Sequence, residues 1–250
     1  MRYFLDISYK GTSFHGWQKQ LNASTVQEVF ETKLSQLLKV ETPVMASGRT
    51  DTGVHAKQQM LHFDSDEILN AELIYKLNKM LPMDIAVNSL YDVPDNAHAR
   101  FDAVSRSYEY HIHTHKNPLK NGFSYYMPFP VSIKALNEAS SYLIARQDFT
   151  SFSKVHTAVS HFECDLTEAY WEQGPEALVF HVKANRFLRG MVRTLVGTLL
   201  EVGAERKKPS WIKEVLEAKD RNAAGRAVPP DGLFLSRVEY PAAICQNRIA

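Results

Sequence analysis

Cysteine is scarce in this chain of 250 residues: Cys164 and Cys245 lie far apart and outside any CxxC or Cys/His ligand spacing. That excludes a disulfide framework, gives no zinc site, and leaves both residues reading as buried thiols. Long apolar runs are missing too. None approaches the roughly 20 residues of a membrane-spanning helix, and the N-terminal MRYFLDISYKG carries charge by residue 6 in place of a secretory apolar core. The expectation is a cytoplasmic protein with no membrane partner. Net charge is nearly absent, +1 from 29 Lys and Arg against 28 Asp and Glu, so a polyanionic partner has to be held by local clusters of basic side chains. Nucleotide signatures are lacking as well. With no GxxxxGKS/T, no GxGxxG and no metal-binding loop, triphosphate and nicotinamide chemistry find no support, and no cofactor and no metal are expected. What the chain does have is 44% hydrophobic residues, enough for the core of one large domain or two modest halves.

Residues 2–9, RYFLDISY, alternate as a strand, and the Gly-punctuated run that follows reads as a loop. Thr25 and Glu28 have capping-box spacing ahead of an apolar stripe of Val26, Val29, Phe30, Leu34, Leu37 and Leu38, so a helix is predicted to about Val40. Strands at 42–47, 60–63 and 85–93 surround a helix near 66–80. The second half repeats the alternation, with strands at 103–114, 159–171, 177–184 and 233–240 and helices at 132–145, 186–203 and 210–219. GlnGlyPro at 173–175 supplies a hairpin turn. Hairpin-joined strands argue for a mixed, mainly antiparallel sheet with helices on one side. The fold class is therefore α+β, with two similar halves, 1–103 and 104–250.

Chemistry concentrates in GRTDTGVHA at 48–56. Asp51 sits between Gly48 and Gly53, with Arg49 before it and His55 after. Glycines let backbone turn sharply and approach a ligand, and a nearby guanidinium keeps a partly buried carboxylate ionised, as a nucleophilic aspartate requires. An Asp capping its own turn would look similar. Asp51-Thr52-Gly53 also matches the triplet of aspartic proteases, but no second copy exists and Gly48, Arg49 and Thr50 replace the apolar strand that should lead in. His111, His113 and His115 alternate along a predicted strand beside Glu109. Without a third-ligand motif they read as a solvated or phosphate-facing edge, with Tyr108, Tyr110 and Ile112 opposite. Arg186, Arg189 and Arg193 fall along one side of the predicted helix at 186–203, where Arg193, among Met191, Val192, Leu195 and Val196, needs an anionic partner. Asp51 is the candidate.

Seven segments in order resemble the tRNA pseudouridine synthase A family: SYKGTSFHGWQKQ at 8–20, GRTDTGVHA at 48–56, NKMLPMDIAV at 78–87, HARFDAVSRSYEY at 98–110, DFTSF at 148–152, NRFLRGMVR at 185–193 and GLFLSRVEYP at 232–241. The resemblance implies isomerisation of uridine to pseudouridine at tRNA positions 38 to 40 in the anticodon arm, without cofactor or metal, by a homodimer with tRNA bound across it. It makes Asp51 the essential aspartate, Arg193 its partner, Tyr108 the contact to the target uracil and Arg49 a residue that helps expose that base, in a cleft between the two halves of one catalytic domain. Lys19, Arg100, Arg106, Arg186 and Arg189 are the expected RNA contacts. Thr52 stands where alanine is more usual in the family, and Lys10 where aspartate is common. Two alternatives stay open here: an RNA-binding module with no catalytic role for Asp51, and the peptidase.

Overall fold

The computed structural model describes residues 1–155, 159–174 and 177–250. They form two compact units, residues 1–105 with 235–250 and residues 106–234.

In the first unit, strand β1 (Arg2–Tyr9) lies between β3 (His55–Asp64) and β4 (Ile85–Val93), antiparallel to both. The two-residue β2 (Met45–Ala46) pairs with β3, and β11 (Asn247–Arg248) with β4. Alternation places Leu5 and Ile7 on one face, where helices α1 (Val26–Leu38) and α2 (Glu72–Met80) supply Phe30, Leu34, Leu73 and Leu77 to the core. The predicted cap forms: the Thr25 hydroxyl accepts from the Glu28 N–H at 3.4 Å. The helix stops at Leu38, two residues before the expected end, because Lys39 turns left-handed at φ 58°. Strand β3 begins five residues earlier than its apolar core suggested. Its first half, HAKQQ, carries polar side chains whose strand state comes from pairing with β1, not from hydrophobic alternation.

The second unit holds β5 (Ser105–His113) from Arg106 onward, β6 (Tyr125–Tyr126), β7 (Ala145–Asp148), β8 (Glu163–Gln173) and β9 (Leu178–Ala184). β5, β9, β8 and β7 pair antiparallel in that order, and β6 runs parallel to β5. Helices α3 (Ile133–Ser141), α4 (Met191–Gly203) and α5 (Trp211–Ala218) complete the unit, with α3 packed on β8 and on α4. Tyr110, Phe149, Phe152, Phe180, Leu195 and Leu199 form its fully buried centre. This is the α+β, mainly antiparallel architecture expected.

Two expectations are corrected. The helix predicted from 186 begins at Met191, after Gly190 caps it in the left-handed conformation at φ 71°, so Arg186, Arg189 and Arg193 do not share one helical row. The last residues, which the sequence reading assigned to the second half, belong to the first unit. The Val104 N–H donates to the Glu239 carbonyl at 2.8 Å, the Val238 N–H to Gln58 Oε1 at 2.9 Å and Tyr240 Oη to the Ala99 carbonyl at 2.6 Å. The final strand, β10 (Leu233–Glu239), thereby serves unit one through residues 235–239. The hairpin joining β8 to β9 is closed by the Gly174 N–H on the Ala177 carbonyl at 2.8 Å, while Pro175 of the predicted turn lies outside the described residues.

Candidate active site

The Asp51 loop is held on three sides before any substrate is considered. From below, the buried Gln59 accepts from Ser47 Oγ at 2.7 Å and donates its Nε2 to the Gly48 carbonyl at 2.7 Å, fixing the entry to the loop. From the side, the buried hydroxyls of Tyr9 and Thr50 meet at 2.7 Å, and the Trp17 N–H donates to the Thr50 carbonyl at 3.1 Å. At the exit, the Gly53 N–H donates to the Phe14 carbonyl at 3.3 Å, and the Gly11 N–H to His55 Nδ1 at 3.1 Å. That last bond makes Nδ1 an acceptor, so the His55 ring is bound as a neutral imidazole at that nitrogen. The segment after β1, residues 10–17, therefore works as a brace across residues 50–55.

Within the loop the Val54 N–H closes on the Asp51 carbonyl at 3.1 Å, which requires Gly53 at φ 80°. Gly16 is the other constrained glycine. At φ 86°, a side chain there would put its Cβ 2.6 Å from the Thr50 carbonyl oxygen. Gly48, expected to permit a close approach to a ligand, has open space where a Cβ would go, so no protein atom crowds it. Asp51 is half-buried, and Arg49 and Thr52 are exposed. A carboxylate on a braced turn, partly withdrawn from water, with an exposed guanidinium two residues away, suits a reacting group better than a surface cap.

Tyr108 and Arg193 belong to the second unit, Asp51 and Arg49 to the first. Tyr108, half-buried, packs edge-on against Phe187 with ring centroids 5.0 Å apart. Arg193, on the first turn of α4, donates Nε to the Val228 carbonyl at 2.6 Å, and Tyr110 Oη donates to the neighbouring Pro229 carbonyl at 2.8 Å. The 228–229 backbone thus anchors both side chains, and burial pushes the Tyr110 phenol well above its usual range so that it remains a neutral donor.

The expected RNA contacts are spread over both units. Lys19 is exposed, with Nζ 4.0 Å from Glu31, and Arg100 is exposed beside Phe101. Arg106 donates Nη1 to the Asn185 carbonyl at 2.9 Å, and Arg186 shares a 2.9 Å hydrogen bond with His161. Arg189 is exposed. The histidine edge is not uniformly solvated. His111 contacts Glu109 at 2.9 Å, while His113 is buried against Ser124 at 2.9 Å, and burial lowers its pKa. Among the described residues no group of three or more His, Cys, Asp or Glu is placed to hold a metal ion, and no helix is long and apolar enough to cross a membrane.

Sequence reasoning missed the brace. Tyr9, Thr50 and Gln59 read as ordinary strand and loop residues, and only the structure shows that their polar atoms converge. It also missed Phe101, whose single aromatic ring carries no periodic signal.

The family model described as tRNA pseudouridine synthase matches residues 7–102 and 139–241. Proteins named tRNA pseudouridine synthase A are similar over nearly the whole chain. The one from Parabacteroides distasonis is 46% identical, covering 96% of this chain and 96% of the relative. That from Bacteroides thetaiotaomicron is 43% identical over 96% and 91%, and that from Bacillus subtilis 40% over 96% and 99%. With the braced Asp51 loop and parts of both units inside the residues the family model matches, and relatives similar over nearly the whole chain, this chain belongs to the tRNA pseudouridine synthase family.

Proposed function

We propose that this enzyme isomerises uridine to pseudouridine in the anticodon arm of tRNA, at positions 38, 39 and 40, with Asp51 as the catalytic carboxylate. The observation that carries the reading is the braced Asp51 turn inside a chain whose relatives share the family across its length. Family membership also favours isomerisation over the peptidase and over a purely binding module.

The reaction breaks the bond from N1 to C1′, turns the uracil and joins C5 to C1′, with no net redox change or hydrolysis. A stacked base has to be extruded first, at a cost of a few kcal/mol that stacking and backbone contacts offset. Arg49 helps expose the base and Tyr108 contacts the flipped uracil. Ionised Asp51 then either attacks C1′ or promotes loss of the base through a proton abstraction that leaves a glycal. Either route needs a carboxylate kept charged in a dry pocket, with Arg193 as its ion-pair partner and the two halves acting as one catalytic domain. Lys19, Arg100, Arg106, Arg186 and Arg189 contact the RNA backbone, so binding weakens as salt rises. The chain works as a homodimer with tRNA across it, in the cytoplasm, and requires no cofactor and no metal.

The test incubates purified protein with unmodified tRNA, without added metal or nucleotide, and maps pseudouridine by carbodiimide labelling for wild type and Asp51→Asn. Pseudouridine in the anticodon arm from wild type alone supports the assignment. Near-normal turnover by Asp51→Asn would remove Asp51 from the chemistry.

A further inference from the structure

Phe101 is 73% exposed, yet it is held rather than left to flex. Its ring lies on the His98 ring, centroids 4.3 Å apart at 35°, and the Arg100 guanidinium sits 5.6 Å from its centroid. His98 in turn is fixed at both ends. Its Nδ1 accepts from the Arg100 and Phe101 backbone N–H groups at 3.1 and 3.3 Å, the His98 backbone N–H donates to Asp102 Oδ2 at 2.7 Å, and its ring meets the buried His62 edge-on at 4.6 Å. The result is a rigid aromatic face, backed by a second ring, flanked by a cation and open to solvent.

We propose that Phe101, supported by His98 and Arg100, is a stacking platform for an unpaired nucleobase of the bound tRNA, distinct from the target uridine. The chemistry is that of single-strand recognition: a π-face with an adjacent guanidinium accepts any base, and a prepaid orientation reduces the entropy lost on stacking. The platform does not serve the target base. Ala56 pairs with Tyr9, whose hydroxyl touches Thr50, whereas His62 pairs with Phe4 at the far end of β3. Six residues of strand separate the two positions, about 20 Å. The occupant is therefore a neighbouring loop base, and the platform sets how the RNA lies on the first unit. The proposal rests on tRNA being the substrate.

Two variants test it. Phe101→Ala is expected to raise KM for tRNA roughly 5- to 50-fold while kcat at saturating tRNA changes less than about twofold. Phe101→Trp restores KM, and its fluorescence is quenched by tRNA beyond any quench in wild type, whose Trp17 and Trp171 are 3% and 4% exposed and whose Trp211 is half-buried and supplies the background to subtract. An unchanged KM in Phe101→Ala, or a Phe101→Trp signal that tRNA does not alter, overturns the platform. So does a change in oligomeric mass with tRNA binding intact, which would make the ring a protein contact. The quench reads binding alone. Absence of pseudouridine from wild type would sink the uridine chemistry and leave the quench to decide this proposal.

Discussion

Acidification should remove stability through His62, and by an amount the structure sets. The ring stacks on Phe4 at 6.0 Å, its Nδ1 accepts from the Ala99 N–H at 3.1 Å, and burial, with Arg2 and His98 beside it, pushes the imidazole down from 6.5 to about 4. Above pH 6.5 neither the folded nor the unfolded chain protonates this ring, and its contribution is fully present. As pH falls below that value the unfolded chain gains a proton that the folded chain refuses, and stability is lost until about pH 4. A gap of about 2.5 in pKa, at about 1.4 kcal/mol per unit, gives a ceiling of about 3.5 kcal/mol, with about 2 kcal/mol gone by pH 5. Urea unfolding of wild type and His62→Gln at pH 7 and pH 5 isolates the effect. The buried Asp6, whose pKa is raised chiefly by desolvation, shifts stability in the opposite direction but equally in both proteins. Wild type should lose about 2 kcal/mol more than the variant on acidification. Equal losses, to within about 0.5 kcal/mol, would show that His62 does not remain neutral in the folded state.

The brace yields a second expectation. Gly16→Ala forces a Cβ to within 2.6 Å of the Thr50 carbonyl at φ 86°, so it should cost about 2 kcal/mol or more by thermal or urea denaturation; a loss under about 0.5 kcal/mol would mean that residues 10–17 yield freely. Arg193→Lys removes the Nε that donates to Val228 at 2.6 Å and the planar fork proposed to align Asp51, so single-turnover kcat should fall on the order of tenfold or more with tRNA binding kept. Unchanged single-turnover rates would separate Arg193 from the catalytic carboxylate.

Periodicity made the strands β1 and β4 legible to the residue, and the capping pair Thr25 and Glu28 marked the start of α1, because both signals are local. Long-range pairing was not legible. The polar first half of β3 is a strand because β1 lies beside it, and residues 235–250 join the first unit through hydrogen bonds to Gln58, Ala99 and Val104 that no window of sequence contains. The arginine row failed for a related reason. Apolar spacing from Phe187 through Val196 imitates a helix, while the left-handed Gly190 cuts it. The candidate site followed the same division. GRTDTGVHA announced Asp51 through its glycines and flanking charges, but the Tyr9, Thr50 and Gln59 contacts that brace the turn come from residues separated along the chain.

The return of residues 235–250 to the first unit has a consequence for biosynthesis. The second unit, residues 106–234, is contiguous in the chain and can assemble as soon as it leaves the ribosome. The first unit cannot close at that stage. Leu90 exchanges hydrogen bonds with Ile249 and Ala250, and β4 has its edge partner in β11, so a strand made early in synthesis waits for residues that follow the whole second unit in the chain. Until then β4 presents an open edge. The order of completion therefore runs opposite to the order of translation, and the Asp51 loop, carried by the earlier-made unit, sits in the unit finished last.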